Sequence, residues 1–197
     1  MEPCRLAATD LACRRGERLL FRSVGFALEP GAALQVAGPN GTGKSSLIRL
    51  LAGLLRPFAG AVERVGAVGL LDERPALDGH LPLGRALAFW GRIDGGEGAE
   101  VAALGLEPLL DLPVRYLSTG QRKRAALARL VEQNAPIWLL DEPLNGLDKE
   151  AARACEALVA RHCADGGVAV IASHQPFVLP GMATLALPGF APPEPAA

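Results

Sequence analysis

Gly38-Pro39-Asn40-Gly41-Thr42-Gly43-Lys44-Ser45 lies between an apolar run, Ala32 to Ala37, and a stretch from Lys44 to Leu54. In that second stretch Leu47, Ile48, Leu51 and Leu55 recur at helical spacing, and Gly53 with Pro57 marks its exit. Every fixed position of G-x-x-x-x-G-K-[ST] is filled, in the order strand, glycine turn, helix. The pattern predicts a phosphate cradle. Glycines let the backbone wrap so that its N–H groups point inward at phosphate oxygens, and the helix that follows adds its positive end. Gly38, Pro39, Asn40, Gly41, Thr42, Gly43, Lys44, Ser45 and Ser46 are the candidate nucleotide-binding positions. Lys44 is expected on the β/γ-phosphates and the Ser45 hydroxyl on Mg2+, with Ser46 either on the helix surface or in the layer behind the contacting residues. A glycine-rich strand–helix turn without a ligand is the plain alternative, but it does not call for the whole motif. The loop specifies a P-loop nucleotide site without saying which P-loop machine carries it.

Downstream, Ile137-Trp138-Leu139-Leu140-Asp141-Glu142 reads as an apolar strand ending in two carboxylates. In an open α/β sheet the carboxyl ends of parallel strands are where ligands bind. Asp141 is placed to hold Mg2+, directly or through water, and Glu142 to orient or polarise an attacking water. A strand ending in solvated acids needs no function, and beside the phosphate cradle that plainer reading loses its force.

Between the two lies Leu117-Ser118-Thr119-Gly120-Gln121-Arg122, at the start of a helical stretch running to Glu132. Ser118 and Gln121 form an S-x-x-Q capping box, which explains both residues without a ligand. Gly120 is left over, and a bare glycine there would let an oxygen-rich ligand come close to the backbone.

The remaining chain organises around these segments. Val24 to Leu28 alternates, and Ala61 to Leu71 suggests two strands around a turn. From about Asp72 to Arg115 turn residues multiply between short helical patches, Gly84 to Trp90 and Ala99 to Leu104. This predicts a small helical unit inserted in a larger sheet. Lys149 to Cys163 reads as a helix closed by Gly166-Gly167, and Val168 to Ala172 as another buried strand. Unalternating strands separated by helices predict an α/β protein with a parallel sheet covered on both faces. The Pro/Ala-rich stretch from Pro188 is expected to fray.

The chain has 197 residues, half of them hydrophobic and only 5% aromatic, so Leu, Val, Ile and Ala must fill its core. Its net charge of -1 gives no support to binding nucleic acid through phosphate neutralisation. Cys4, Cys13, Cys155 and Cys163 show no C-x-x-C or zinc spacing and read as thiols in a reducing compartment. Met1-Glu2-Pro3-Cys4 lacks the features of a signal peptide, and no apolar run approaches a membrane span. The expectation is a soluble, cytoplasmic subunit, with any membrane path supplied by another polypeptide.

The ordered set of motifs resembles the ABC ATPase family. Leu117-Ser118-Thr119-Gly120-Gln121 matches the signature L-S-G-G-Q, Asn145-Gly146-Leu147-Asp148 after Pro143 matches the D-loop, and His174 matches the switch histidine. The likeness runs from Leu6 to about Leu187. It implies a P-loop NTPase (RecA-like) core with an N-terminal antiparallel β subdomain and an inserted helical subdomain at about 72–133. These form a single ATPase domain over 1–190, followed by a tail at 191–197. It further implies a homodimer in which two cassettes stack head to tail. Each ATP would lie between one copy's phosphate loop and the other's Ser118, Gly120 and Gln121, while Lys44, Glu142 and His174 act in hydrolysis. Integral membrane transporter subunits would be the partners, with the cassette peripheral on the inner face of the cell membrane. The short chain, Ser173-His174-Gln175-Pro176 and the run Ser46 to Pro57 resemble the ATP-binding subunits of the haem exporter of cytochrome c maturation.

Three positions depart from the family pattern. Leu71-Asp72-Glu73-Arg74-Pro75 has no Gln where the family places one, Arg15 falls near the usual adenine-stacking aromatic, and Thr119 replaces the first signature glycine. Other readings fit less well. A DNA-maintenance ATPase would carry coiled-coil insertions, and no sustained heptad appears. A ribosome-associated protein would carry two cassettes in one chain. A regulatory module with little hydrolysis would not need Lys44, Asp141, Glu142 and His174 intact.

Overall fold

The computed structural model describes residues 4–95 and 100–192. In chain order it contains β1 (Arg5–Arg15), β2 (Arg18–Leu28), β3 (Ala33–Ala37), α1 (Lys44–Leu51), β4 (Ala59–Val65) and β5 (Val68–Leu71). Then follow α2 (Leu83–Asp94), α3 (Glu100–Ala103), α4 (Thr119–Glu132), β6 (Ile137–Asp141), α5 (Lys149–Ala164), β7 (Val168–Ser173) and β8 (Ala183–Ala186). β1 is the middle strand of an antiparallel sheet, β2-β1-β4. The other five strands form a parallel sheet in the order β5-β6-β7-β3-β8.

The apolar runs at β6 and β7 are buried along their whole length, as strands covered on both faces must be. Alternate residues of β6 serve different cores. Ile137 and Leu139 pack with Leu47, Ile48 and Leu51 of α1 and with Leu11 and Phe21 of the antiparallel sheet. Trp138 and Leu140 pack with α2, α4 and α5 through Leu83, Leu87, Leu127, Cys155 and Val159. Each fully buried Leu contributes about 1.5–3 kcal/mol of transfer free energy, so the two clusters fix the sheet between its layers. α1 is thereby held between the two sheets, its first residue directly after the glycine loop.

Several expectations shift. The alternating Val24 to Leu28 is only the end of β2, which runs for 11 residues, as β1 does before it. The two strands expected over 61–71 form, but they do not pair with one another. β4 belongs to the antiparallel sheet and β5 to the edge of the parallel one, so the turn at Gly66 moves the chain between sheets. α1 stops at Leu51, and Gly53 takes a left-handed φ of 77° beyond it. Of the helical patch predicted over 99–104, residue 99 lies outside the described residues, α3 covers Glu100–Ala103 and Leu104 lies in the turn that follows. The stretch from Pro188 is not frayed where it is described. Leu187–Phe190 forms a 3-10 turn, Leu187 is buried, and Phe190 packs on the α1-side core. Proline fixes φ for such a turn, and two apolar anchors hold it. Residues 1–3 and 193–197 lie outside the described residues.

All four cysteines are buried and unpaired. His162 of α5 is buried with its ring stacked on Trp138, ring centres 3.9 Å apart, and its Nε2 lies 3.3 Å from the Val168 carbonyl oxygen. Burial holds its pKa below the usual imidazole value. The folded chain therefore refuses a proton that the unfolded chain accepts below about pH 6.5, and this share of stability is complete above that pH and lost as pH falls. Between pH 7.5 and 5.5, the parent chain should lose up to about 1.4 kcal/mol more unfolding free energy in urea than His162→Phe.

Candidate nucleotide site

β3, β6 and β7 end at one level, with Ala37 beside Ser173 and Asp141 beside Ala172. The loops that leave these ends carry the predicted groups. After β3, Gly38, Gly41 and Gly43 have φ of 157°, 81° and 104°. The last two values lie where side chains are strained, so the turn needs glycine there. A methyl group on Gly38 would press on Pro188 of the 3-10 turn and on the Thr42 hydroxyl, and one on Gly43 would press on Leu20 and Phe21. The Thr42 hydroxyl donates to the Pro39 carbonyl at 2.9 Å, which braces the turn from inside.

Lys44 opens α1 and is buried. Its Nζ donates to the Gly38 carbonyl at 2.9 Å and the Pro39 carbonyl at 3.2 Å, and lies 3.3 Å from Glu142 Oε1. The other carboxylate oxygen, Oε2, lies 2.9 Å from His174 Nδ1 and accepts from the His174 backbone N–H at 3.4 Å. Three segments far apart in sequence therefore meet on one carboxylate. Glu142 has φ 48°, in the left-handed region that non-glycine residues enter only when the surroundings hold them there. Its N–H donates to the Ala172 carbonyl at 2.8 Å.

Asp141, one residue earlier, is buried beneath. Burial raises its carboxyl pKa most, Glu142 and Glu73 add to that, and a hydrogen bond with the Ser45 hydroxyl opposes it. Its Oδ1 is buried with no protein partner. An orphaned carboxylate oxygen beside a serine hydroxyl is the hard oxygen donor set that Mg2+ takes. Ser45 and Asp141 would hold that ion, and Mg2+ there would neutralise charge on triphosphate oxygens.

A cavity of about 390 Å³ opens over the glycine loop, lined by Asn40, Gly41, Gly43, Lys44, Ser45 and Ser46. Leu20, Glu73, Glu142 and Asn145 complete it. Ser46, expected on the helix surface or behind the contacting residues, faces this cavity. Glu73 is the residue of the Asp72–Arg74 stretch that faces it, whereas Arg74 lines a neighbouring cleft with Arg129 and Gln133. Arg15 is exposed and does not line it; Leu20 does.

The structure does not bring the signature segment to its own chain's loop cavity. Ser118 is exposed and caps α4, accepting from the Gln121 N–H at 3.2 Å, while Gln121 Oε1 accepts from the Ser118 N–H at 2.8 Å. The capping box is thus formed in full. Gly120 has a reason that the sequence alone did not show: a methyl group there would overlap the Gly146 carbonyl oxygen. Asp148 caps α5, its carboxylate accepting from the Ala151 N–H at 2.8 Å. Lys123, to which the sequence reading gave no role, is buried and donates to the Glu142 carbonyl at 3.1 Å.

Comparison with known proteins decides the family. The ABC transporter family profile matches residues 21–145. The "Cytochrome c biogenesis ATP-binding export protein CcmA" of Novosphingobium aromaticivorans is 60% identical, over 98% of this chain and all of that protein. The protein of the same name from Zymomonas mobilis is 50% identical over 94% of this chain and 86% of its own length. The chain belongs to the ABC transporter family, with the CcmA proteins. Among solved structures, an ATP-binding subunit of an ABC transporter superposes with a TM-score of 0.75 at 24% identity, covering 86% of this chain and 79% of that one. A nucleotide-free ABC cassette gives 0.71 at 22%, covering 87% and 82%. These likenesses show the ABC cassette fold.

The protein is thus an ABC-type ATPase that binds ATP as a transporter subunit. Among its described residues no helix is long and apolar enough to cross a membrane. Because Gly120 of this ABC ATPase abuts backbone and no flexible side chain, Gly120→Ala should lower unfolding free energy by about 1–3 kcal/mol, read from the urea midpoint.

Proposed function

We propose that two copies of this chain close on two ATP molecules, hydrolyse them and so drive separate integral membrane subunits in the export step of cytochrome c biogenesis, with haem as cargo. The observation that carries the hydrolytic part is the Lys44–Glu142–His174 contact at the mouth of a glycine-loop cavity. Pairing is supported by the exposed Ser118 and by the absence of Ser118, Gly120 and Gln121 from the lining of their own chain's cavity. Ser118 is left facing outward, where a second copy's γ-phosphate would meet the amino end of α4. Export in cytochrome c biogenesis is supported by the names of the 50–60% identical relatives.

In the cycle that follows, Gly38, Asn40, Gly41, Thr42 and Gly43 surround the phosphates with backbone N–H donors, while Pro39, which has none, fixes the turn between them. The Lys44 ammonium exchanges its two loop carbonyls and the Glu142 carboxylate for phosphate oxygens. Glu142, released from Lys44, accepts a hydrogen bond from water and orients it toward the γ-phosphorus. His174, bound to Glu142 through Nδ1, keeps the carboxylate in place and presents its ring to the γ-phosphate from the β7 side. Closure is favoured because the signature contacts with the γ-phosphate exist only in the paired state, and the pair opens once that phosphate leaves. The cassette works peripherally, on the inner face of the membrane that holds its partners.

Two measurements test this reading. Glu142→Gln should bind ATP with near-parental affinity, lose about 10²-fold or more in kcat, and elute as a dimer in ATP during size-exclusion chromatography. Turnover at the parental rate would remove Glu142 from this role. Asp141→Asn should raise the Mg2+ concentration needed to quench a fluorescent ATP analogue by roughly tenfold or more, while quenching without metal is unchanged.

A further inference from the structure

One buried cation near the site has no part in the cycle. Lys123 stands one turn into α4, only 8% exposed. Its Nζ donates to the carbonyl oxygen of Glu142 at 3.1 Å, an oxygen that also accepts from the Asn145 N–H at 3.3 Å. Burial pulls its pKa below the usual lysine value, and the charges of Asp141, Glu73 and Asp72 oppose that pull. Placing an ammonium in such a position costs free energy that an apolar side chain of the same length would not. Packing alone therefore does not account for a lysine here.

What the lysine holds is a strained residue. At φ 48° the Glu142 backbone lies in the left-handed region that is unfavourable for an L-residue, and it stays there only under constraint. Its N–H is tied to Ala172 and its carbonyl to Lys123 and Asn145. With the peptide fixed at both ends, the side chain leaves the backbone in the direction that brings its two oxygens to Lys44 and His174. Lys123 does not line the cavity over the glycine loop. It lines an adjoining one of about 270 Å³ with Glu73, Thr119, Arg122, Glu142 and Asn145.

We propose that Lys123 is a positioning residue for hydrolysis, holding the strained Glu142 peptide so that the carboxylate faces the attacking water. The proposal rests on the ATPase reading given above. Lys123 acts through the Glu142 carbonyl and makes no contact with nucleotide. Without the donor, the Glu142 peptide relaxes toward ordinary helical or extended values and the carboxylate swings off the line of attack. A small displacement of a group that orients water is costly to rate and nearly silent in binding.

The test uses the full chain and steady-state ATP hydrolysis. Lys123→Met keeps length and bulk while removing the donor, and Lys123→Arg keeps a donor. Lys123→Met should lower kcat about tenfold or more, with KM for ATP and affinity for a non-hydrolysable analogue within about twofold of the parent. Lys123→Arg should recover kcat to within about threefold. In a Glu142→Gln background, Lys123→Met should cause no further loss, because a residue that acts through another has nothing left to position. An unchanged kcat in Lys123→Met overturns the proposal. So does a second, equal loss on top of Glu142→Gln, or a fall in nucleotide affinity that matches the fall in kcat, since either marks a packing role. Failure of the ATPase reading looks different: the parent chain and Glu142→Gln would then turn over alike.

Discussion

Register in the parallel sheet governs the site. β3, β6 and β7 are paired so that their carboxyl ends stop within a residue of each other, Ala37 against Ser173 and Asp141 against Ala172. The loops that follow therefore begin on one edge, and Lys44, Glu142 and His174 come within hydrogen-bonding distance although no two are near in sequence. A slip of one residue in β6 would exchange its faces, sending Trp138 toward α1 and Leu139 toward α4. Both cores oppose that exchange because each is filled to fit the present face. The hydrophobic packing that stabilises the fold is thus also what aligns the polar groups above it.

Charge is balanced on that edge from two sides. Asp141, Glu142 and Glu73 cluster at the ends of β5 and β6, and their repulsion is countered by Lys44 from α1 and by Lys123 from α4. The two lysines contact different parts of Glu142, one its carboxylate and the other its main-chain oxygen. α4 meets the same loop a second time where Gly120 abuts Gly146. The amino end of α4 is consequently packed on residues 142–146 at two separate points.

Much of this was legible beforehand because it depends on residue type at fixed spacing. The glycine loop, the acidic pair on an apolar strand and the capping box are local patterns with local causes, and the structure contains each of them. Gly120 was legible as an anomaly only. Its neighbour Gly146 lies in another loop, and no spacing rule links the two. Leu71 to Pro75 read only as a stretch without the family's Gln, and the chain after β5 turns Glu73 to the loop cavity and Arg74 to a separate cleft. Leu20 and Lys123 carried no signal, since an apolar residue in a strand and a lysine in a helix are both ordinary until their neighbours are known. Proline content made the stretch from Pro188 read as loose, whereas burial of Leu187 and packing of Phe190 override composition.

That turn has a consequence of its own. Pro188 leans on Gly38, the first residue of the phosphate cradle, closely enough that a single methyl group on the glycine would touch its ring. The cradle is thus buttressed by a segment contributed from far downstream, so a shape change in the loop that moved Gly38 would press on the chain beyond β8. An environment-sensitive dye attached just after Phe190 would then work as a remote gauge of loop occupancy, without a label anywhere near the nucleotide.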